Sequence, residues 1–275
     1  MLTPLIINSF DKAKALWDKE KTTTLISITL IVSFFVGLVI SILSQFPIFG
    51  LEKHTLFLSI EAAFTVLLIF EVLGLVFVLP KSVSSSVGKQ FEILSIILLR
   101  SAFKEFGEVT PPITWKYFND PEFYYMFVDA FGALIIFAII GVYYRIQKHE
   151  RITNTEDEQR KFINFKKVIA SFLLVVFVVI GIIDFLDLIQ SHHFHSSFNT
   201  FYLFLIFSDV LILLYSIRFS DKYVYLFRYS SFTFSTILIR FALSADQVIN
   251  VIIGIISGLF VVGLSYLYNF FRQQE

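Results

Sequence analysis

The chain contains no cysteine among its 275 residues. This absence excludes disulfide bonds, thiolate metal sites and cysteine nucleophiles. Charged residues are also scarce, at 16% of the sequence against about 25% in ordinary soluble domains. Acidic and basic side chains balance to a net charge of zero. The protein therefore has no broad basic face, and nucleic acid is not an expected partner.

The motifs of several well-known functional sites are missing as well. The chain contains no P-loop, no dinucleotide-binding glycine fingerprint, and neither of the hydrolase patterns HExxH and GxSxG. A Thr-Val-Gly-Tyr-Gly selectivity filter is absent, which argues against a potassium pore of that type. None of the five histidines lies in the middle of an apolar stretch, so we expect no membrane haem. These absences disfavour an enzyme, and the sequence indicates no cofactor.

Apolar residues are what the chain has in excess. They make up 56% of the sequence, and the mean hydropathy is +0.77. A helix needs about 20 apolar residues to cross the hydrocarbon of a bilayer. Eight stretches approach that length: 23–47, 55–79, 84–103, 123–144, 166–189, 199–217, 223–244 and 247–271. The pattern predicts an all-α polytopic membrane protein with about eight transmembrane helices.

The distribution of lysine and arginine between the loops predicts the orientation of these helices. One side holds four lysines before residue 22 and seven basic residues in the segment 145–167. The other side holds only Lys53, Lys104 and Lys116. Because basic loops stay in the cytoplasm, we expect both termini to be cytoplasmic, in a multi-pass protein of the cell (inner) membrane.

The sequence indicates an internal duplication. Ser95–Arg100 and Ser235–Arg240 are short apolar runs that end in arginine, 140 residues apart, and Glu71 falls on Asp209 at an offset of 138. The predicted order is a segment 1–21, a four-helix unit 22–147, a cytoplasmic linker 148–165 and a second four-helix unit 166–275. Four spans per unit would give both units the same orientation. The alternative is that any two apolar four-span stretches align this well.

The first 21 residues predict a short amphipathic helix. Ile6, Phe10, Ala13 and Trp17 recur at helical spacing, and charged residues lie between them. Such a helix can lie in the cytoplasmic interface with Trp17 as its anchor. The alternative is a frayed beginning of the first span.

Two carboxylates lie deep in the predicted spans. Glu71 and Asp209 occupy the inner halves of the second and sixth spans, at equivalent positions of the duplication. An ionisable residue inside a membrane segment is costly and is a candidate for function. This pair could serve a proton-coupled carrier or a cation pore. The alternative is a pair of structural acids that join helices.

A second set of charges lies nearer the outer ends of the helices. Glu61, Arg100 and Asp129 each fall one to two turns from an outer end, where they could form a cluster. Arg240 is the equivalent of Arg100, and its expected neighbours are amides, Asn199 and Asn250. The alternatives are arginines that reach outward to lipid phosphates, acids without a partner, or a structural contact between helices.

A weaker pattern suggests a metal site. Asp184 and Asp187 are three residues apart and share a helix face, and His192, His193 and His195 follow in an outer loop. Carboxylate and imidazole ligands at this density could bind zinc or another divalent ion. The alternative is an ordinary polar loop.

Two further patterns concern packing and resemblance. Gly254 and Gly258 form a GxxxG motif in the last span, which allows close approach of helices. The run Phe70–Pro80, followed by Lys89-Gln-Phe-Glu92, resembles the passage from the second to the third helix of voltage-sensor four-helix bundles. The fourth span, 123–144, lacks the arginine at every third position of that family, and no pore module follows. The resemblance covers under a tenth of the chain, and no function is carried over from it.

The charges within the spans lead to three functional hypotheses. The first is passage of an ion, proton or small solute, as a channel or secondary transporter. The second is a non-transporting scaffold, assembly factor or effector subunit whose charges hold helices together. The third is an intramembrane enzyme that uses metal near Asp184 and His195. The expected partners are membrane lipid and either a second copy of the chain or other membrane proteins.

Overall fold

A computed structural model describes residues 2–46, 58–81, 83–108, 121–147, 153, 155–191, 198–219 and 223–272. Within these residues the chain is helical almost throughout and has no strand. The helices are α1 (Leu2–Trp17), α2 (Glu20–Ser44), α3 (Leu58–Val78), α4 (Val83–Glu108), α5 (Pro121–Ile146), α6 (Glu156–Ser191), α7 (Phe198–Ser216), α8 (Tyr223–Ser244) and α9 (Ile249–Arg272). A short 3-10 turn, Ile217–Phe219, extends α7.

A helix occupies each of the eight apolar stretches, and α1 forms where the amphipathic helix was predicted. The largest difference is at α6, which begins at Glu156, ten residues before the predicted span. Thr155 and Glu158 explain this start, because the Thr155 hydroxyl accepts from the Glu158 N–H at 3.3 Å. The Glu158 carboxylate accepts from the Thr155 N–H, also at 3.3 Å. This reciprocal capping box nucleates the helix inside the predicted linker.

Within the described residues, five helices are long and apolar enough to cross a membrane: Glu20–Ser44, Phe123–Ile146, Glu156–Asp187, Asn199–Phe219 and Ile249–Phe271. Their large apolar side chains, such as Phe137 and Val175, face outward and are exposed. An outward apolar surface of this extent is what a bilayer would cover and water would not. The fold is that of a helical membrane protein.

Two of the more polar helices, α4 and α8, each pack against several neighbours. α8 buries two arginines, Arg228 and Arg240, together with several serines and threonines, and it packs against α4, α7 and α9. α4 packs against α3, α5, α8 and α9. Polar side chains on these helices are thereby kept away from lipid, where unpaired groups would be costly.

Two hydrophobic cores hold the helices together. One is built by α1, α3, α6 and α7 around Val72, Phe162 and Phe201. The other is built by α4, α5, α8 and α9 around Phe91, Ile136 and Val261. Each core therefore combines helices from both halves of the sequence.

The N-terminal helix α1 is docked on the first core. Phe10 is buried against Phe77, and the Trp17 ring stacks on Phe77 at 5.0 Å between ring centroids. The Asp11 carboxylate binds Lys167 of α6 at 2.7 Å. The apolar face predicted to lie in the interface is thus partly used for packing against the rest of the protein.

Glycines allow the close approach of α9 to its neighbours. A side chain at Gly254 would come within 2.9 Å of Leu94, and one at Gly258 within 2.9 Å of Ile139. The GxxxG motif therefore faces α4 and α5, and the close approach predicted from it is confirmed.

Candidate functional site

Asp209 and Arg240 form a buried ion pair between α7 and α8. The Nη2 atom of Arg240 donates to Oδ2 of Asp209 at 2.5 Å. The side chains are only 2% exposed at Arg240 and 11% at Asp209. A charge buried to this degree requires a partner, because desolvation without one is very costly.

This pair corrects two expectations about Arg240. The amides expected beside it are not its partners, because Asn199 is exposed and the Asn250 Oδ1 accepts from the Val251 N–H at 2.6 Å. The arginine does not reach outward either, because its guanidinium extends to Asp209 near the middle of α7. Two of its nitrogens, Nε and Nη1, are buried and donate to no group.

A small cavity lies beside the ion pair. It offers about 20 Å³ of water-accessible space, enough for about one water molecule. Its walls come from the turn after α3 and from α4 in the first half, and from α6, α7 and α8 in the second. The lining residues are Leu79, Val83, Ser86, Lys166, Asp209, Ile212, Thr233 and Thr236.

Lys166 is the second charged group on this cavity. It is 3% exposed, its Nζ donates to the Lys81 carbonyl at 2.5 Å, and it lies 4.8 Å from the centre of the Phe162 ring. Within the described part of the chain, Lys166 forms no ion pair. Sequence reasoning placed it among the basic residues of the linker, although its position at the start of the apolar run of α6 was a signal of burial. We refer to Lys166, Asp209 and Arg240 as the polar tract.

Glu71 has a different setting from its counterpart Asp209. Its carboxylate binds Lys89 of α4 at 3.0 Å, and Lys89 also binds Glu92 at 3.2 Å. These side chains are partly exposed, at 22% for Glu71 and 29% for Lys89. Each of the two deep acids therefore pairs with a base on the next helix. The bases are not equivalent, since Lys89 lies near the start of α4 and Arg240 near the end of α8.

In the predicted outer cluster, the contact between Arg100 and Asp129 does not form. Asp129 is fully buried, and neither carboxylate oxygen accepts a hydrogen bond, so the expected contact with Arg100 was wrong. The side chain of Glu61 lies outside the described residues. Arg100 instead lies close enough to Tyr202 of α7 for electrostatic interaction, and so does Arg240. Arg100 thus faces the second half of the chain.

The predicted metal ligands are not brought together in the described structure. Asp184 and Asp187 lie on α6, whereas His192, His193 and His195 lie outside the described residues. Among the residues that the structure describes, no group of three or more histidine, aspartate or glutamate side chains could hold a metal ion.

Comparison with known proteins gives no further guide to function. No protein-family model matches the chain, and neither a curated protein nor a solved structure does. The site must therefore be interpreted from its own geometry, on an all-helical fold with five helices able to cross a membrane.

Proposed function

We propose that the chain carries a proton, or another small ion or solute, across a membrane, as a channel or a secondary transporter. The observation that carries this proposal is the polar tract, in which Lys166, Asp209 and Arg240 lie on or beside one small cavity. Ionisable residues within membrane segments are rare and commonly mark ion or proton pathways. The cavity on which this tract lies is walled by residues from both halves of the sequence.

The size of the cavity favours a proton over a larger solute. Space for about one water molecule suits transfer between fixed groups, which needs no continuous pore. Lys166 and Asp209 are the two titratable groups on the wall. Ser86, Thr233 and Thr236 add hydroxyl groups that can donate and accept hydrogen bonds.

The proposal includes an architecture of eight spans in two four-helix pseudo-repeats, with both termini on the cytoplasmic side of the inner membrane. In its support, α4 packs against α8 and α5 against α9. These are the third and fourth spans of each half, and each meets its own counterpart, which is compatible with a two-fold relation along the membrane normal. Lipid is the expected neighbour of the outward phenylalanines, and a second copy of the chain is a possible partner.

A second candidate is a non-transporting scaffold or assembly subunit. The observation that favours it is the pairing of both deep acids, Glu71 with Lys89 and Asp209 with Arg240. An ion pair that joins neighbouring helices can fix their register without any role in transport. Under this alternative the charges matter for folding and for assembly with partners.

The test is proton flux into liposomes that contain the purified protein and a pH-sensitive dye. We expect native protein to pass protons when a membrane potential is applied. Lys166→Met should abolish the flux without leaving another charge unpaired, and the double variant Glu71→Gln/Asp209→Asn should also abolish it. Asp18→Asn is the control, because Asp18 is exposed and pairs only with Lys14, and it should keep native flux.

A charge exchange separates the two candidates. Asp209→Arg combined with Arg240→Asp restores an ion pair at the same place. If the pair lies on a pathway, the exchanged protein should unfold at a near-native temperature and still lose flux. If native protein passes neither protons nor sodium, potassium or chloride ions, the transport proposal is rejected. The scaffold or assembly role is then the remaining candidate.

A further inference from the structure

A second buried acid, Asp129, lies apart from the polar tract. It is eight residues into α5, about 12 Å from the start of the helix. The side chain is 0% exposed, and both carboxylate oxygens are buried without a hydrogen-bond partner. An ionised carboxylate is very costly in such a place, and the group avoids that cost by holding a proton or another cation.

The neighbours of Asp129 make ionisation still less favourable. From α4 it is faced by Glu105, which is 8% exposed and close enough for repulsion between the two carboxylates. α9 is the other helix packed against α5. There Val251 fits against Gly132, one turn from Asp129, and Asn250 is uncharged. No cationic partner of Asp129 is found among the described residues of α4, α5 and α9.

Glu105 also connects the two halves of the molecule. Its carboxylate accepts a hydrogen bond from the Gln247 side chain, which lies in the turn between α8 and α9. The two residues are 142 positions apart. The acid beside Asp129 is therefore part of a direct contact between α4 and the second half.

We propose that Asp129 and Glu105 form a proton-binding site that controls this contact between the halves. With one proton on Asp129, the site carries a single negative charge, and Glu105 can accept from Gln247. Loss of that proton places two carboxylates side by side without a cation and forces the helices apart. The inference does not rest on the proposed transport, because it concerns a different group of residues.

A proton fits this site better than a metal ion. Calcium takes six to eight oxygen ligands, whereas the described acidic residues here are the two carboxylates of Asp129 and Glu105. Both Asp129 oxygens are already covered by protein atoms. A proton needs only one of these oxygens and no additional room.

The first test is thermal unfolding of the purified, full-length protein in detergent at a series of pH values. The folded state favours protonated Asp129, whereas the unfolded chain ionises freely, so the unfolding temperature of native protein should fall as pH rises. Asp129→Asn mimics the protonated group and should lose this pH dependence. Asp18→Asn should keep it. A native pH profile in Asp129→Asn would overturn the proposal.

Infrared spectroscopy gives a readout that a merely structural role would not produce. Native protein should show the carbonyl band of a protonated carboxylic acid at mildly acidic pH, where a free aspartate is already ionised, and Asp129→Asn should lack it. Glu105→Gln removes the neighbouring charge, so its band should disappear at a lower pH than in native protein. This variant keeps the proposal testable if Asp129→Asn does not fold. Absence of the band in native protein would overturn the proton assignment.

A metal control uses calcium or sodium chloride alone, added to the native protein and to Asp129→Asn at high pH. We expect equal and small effects on the two unfolding temperatures. Stabilisation of native protein that is absent in Asp129→Asn would identify a metal site and reject the proton site.

Discussion

Arg240 illustrates, at the scale of one residue, how far a long side chain can carry a charge from its backbone. Its Cα lies one turn before the end of α8, and residue counting therefore places it near the outer end of the span. Its guanidinium nevertheless binds Asp209 near the middle of α7. Counting gives the depth of the backbone, but it gives neither the direction of a long side chain nor the offset between two helices. Both residues were named from the sequence, and their pairing was not.

Removal of one member of this pair should cost more than removal of both. Arg240→Leu leaves Asp209 buried without its cation, and breaking a buried pair in this way costs about 3–5 kcal/mol. The double variant Arg240→Leu/Asp209→Leu leaves no charge behind, so its stability should lie closer to that of native protein. Thermal and chemical unfolding in detergent measure both losses.

The Glu71–Lys89 pair supplies the matched control for this experiment. It also joins neighbouring helices, but its side chains are partly exposed. Lys89→Leu should therefore cost less than Arg240→Leu, because exposed pairs contribute about 0–1 kcal/mol. A loss in the double variant equal to the sum of the losses in Arg240→Leu and Asp209→Leu would show that Asp209 and Arg240 are not energetically coupled.

At the scale of the helices, much of the secondary structure follows from the sequence. The bounds of α8 coincide with the predicted 223–244, because the apolar run there ends at polar residues on both sides. α6 begins earlier because Thr155 and Glu158 form a capping box in a charged segment, a local signal that hydropathy does not contain. The candidate site was less predictable. Lys166 is a lysine at the edge of a span, and its burial is revealed only by the structure, where its Nζ donates to the Lys81 carbonyl in the turn between α3 and α4.

Two glycines on α5 should respond to the same substitution with opposite signs. A Cβ at Gly132 would come within 2.6 Å of Val251, whose branched side chain has little freedom to move, whereas a Cβ at Gly141 would meet nothing within 4 Å. Gly132→Ala should therefore destabilise the protein by about 1–3 kcal/mol through overpacking of α5 against α9. Gly141→Ala should stabilise it by about 0.5–1 kcal/mol, because alanine restricts the unfolded chain and favours a helix.

The unfolding midpoints of Gly132→Ala and Gly141→Ala, measured under the same conditions, test whether the two stability changes have opposite signs. Gly263→Ala in α9 is a second control, since its Cβ would also meet nothing within 4 Å. A stabilised Gly132→Ala would mean that α5 and α9 are not in close contact at this point.

At the scale of the whole molecule, the two sequence halves do not behave as two separate packing units. One core combines α3 with α6 and α7, and the other combines α4 and α5 with α8 and α9. Neither half, expressed alone, would keep the contacts that bury Phe91 or Phe201. The cavity beside the polar tract and the Glu105–Gln247 contact each combine residues of both halves. The stability of the protein therefore depends on packing between helices of both sequence halves.

The number of spans can be decided from the sides on which two positions lie. If all eight predicted helices cross the membrane and the N-terminus is cytoplasmic, the turn at Asp246 lies outside and Arg272 inside. If only the five longest apolar helices cross, then α3, α4 and α8 do not. The same counting then places Asp246 inside and Arg272 outside. Glu156 lies inside in both arrangements and serves as the reference.

The absence of cysteine makes this experiment direct, because any introduced thiol is the only one in the chain. Asp246→Cys, Arg272→Cys and Glu156→Cys would be expressed separately in intact cells and treated with a membrane-impermeant maleimide. We expect labelling at 246 alone, because basic residues hold the termini and the segment 145–167 inside. Labelling at 272 without 246 would establish the five-span arrangement. It would place α4 and α8 as helices that enter the protein interior without crossing, and it would exclude the parallel pseudo-repeat.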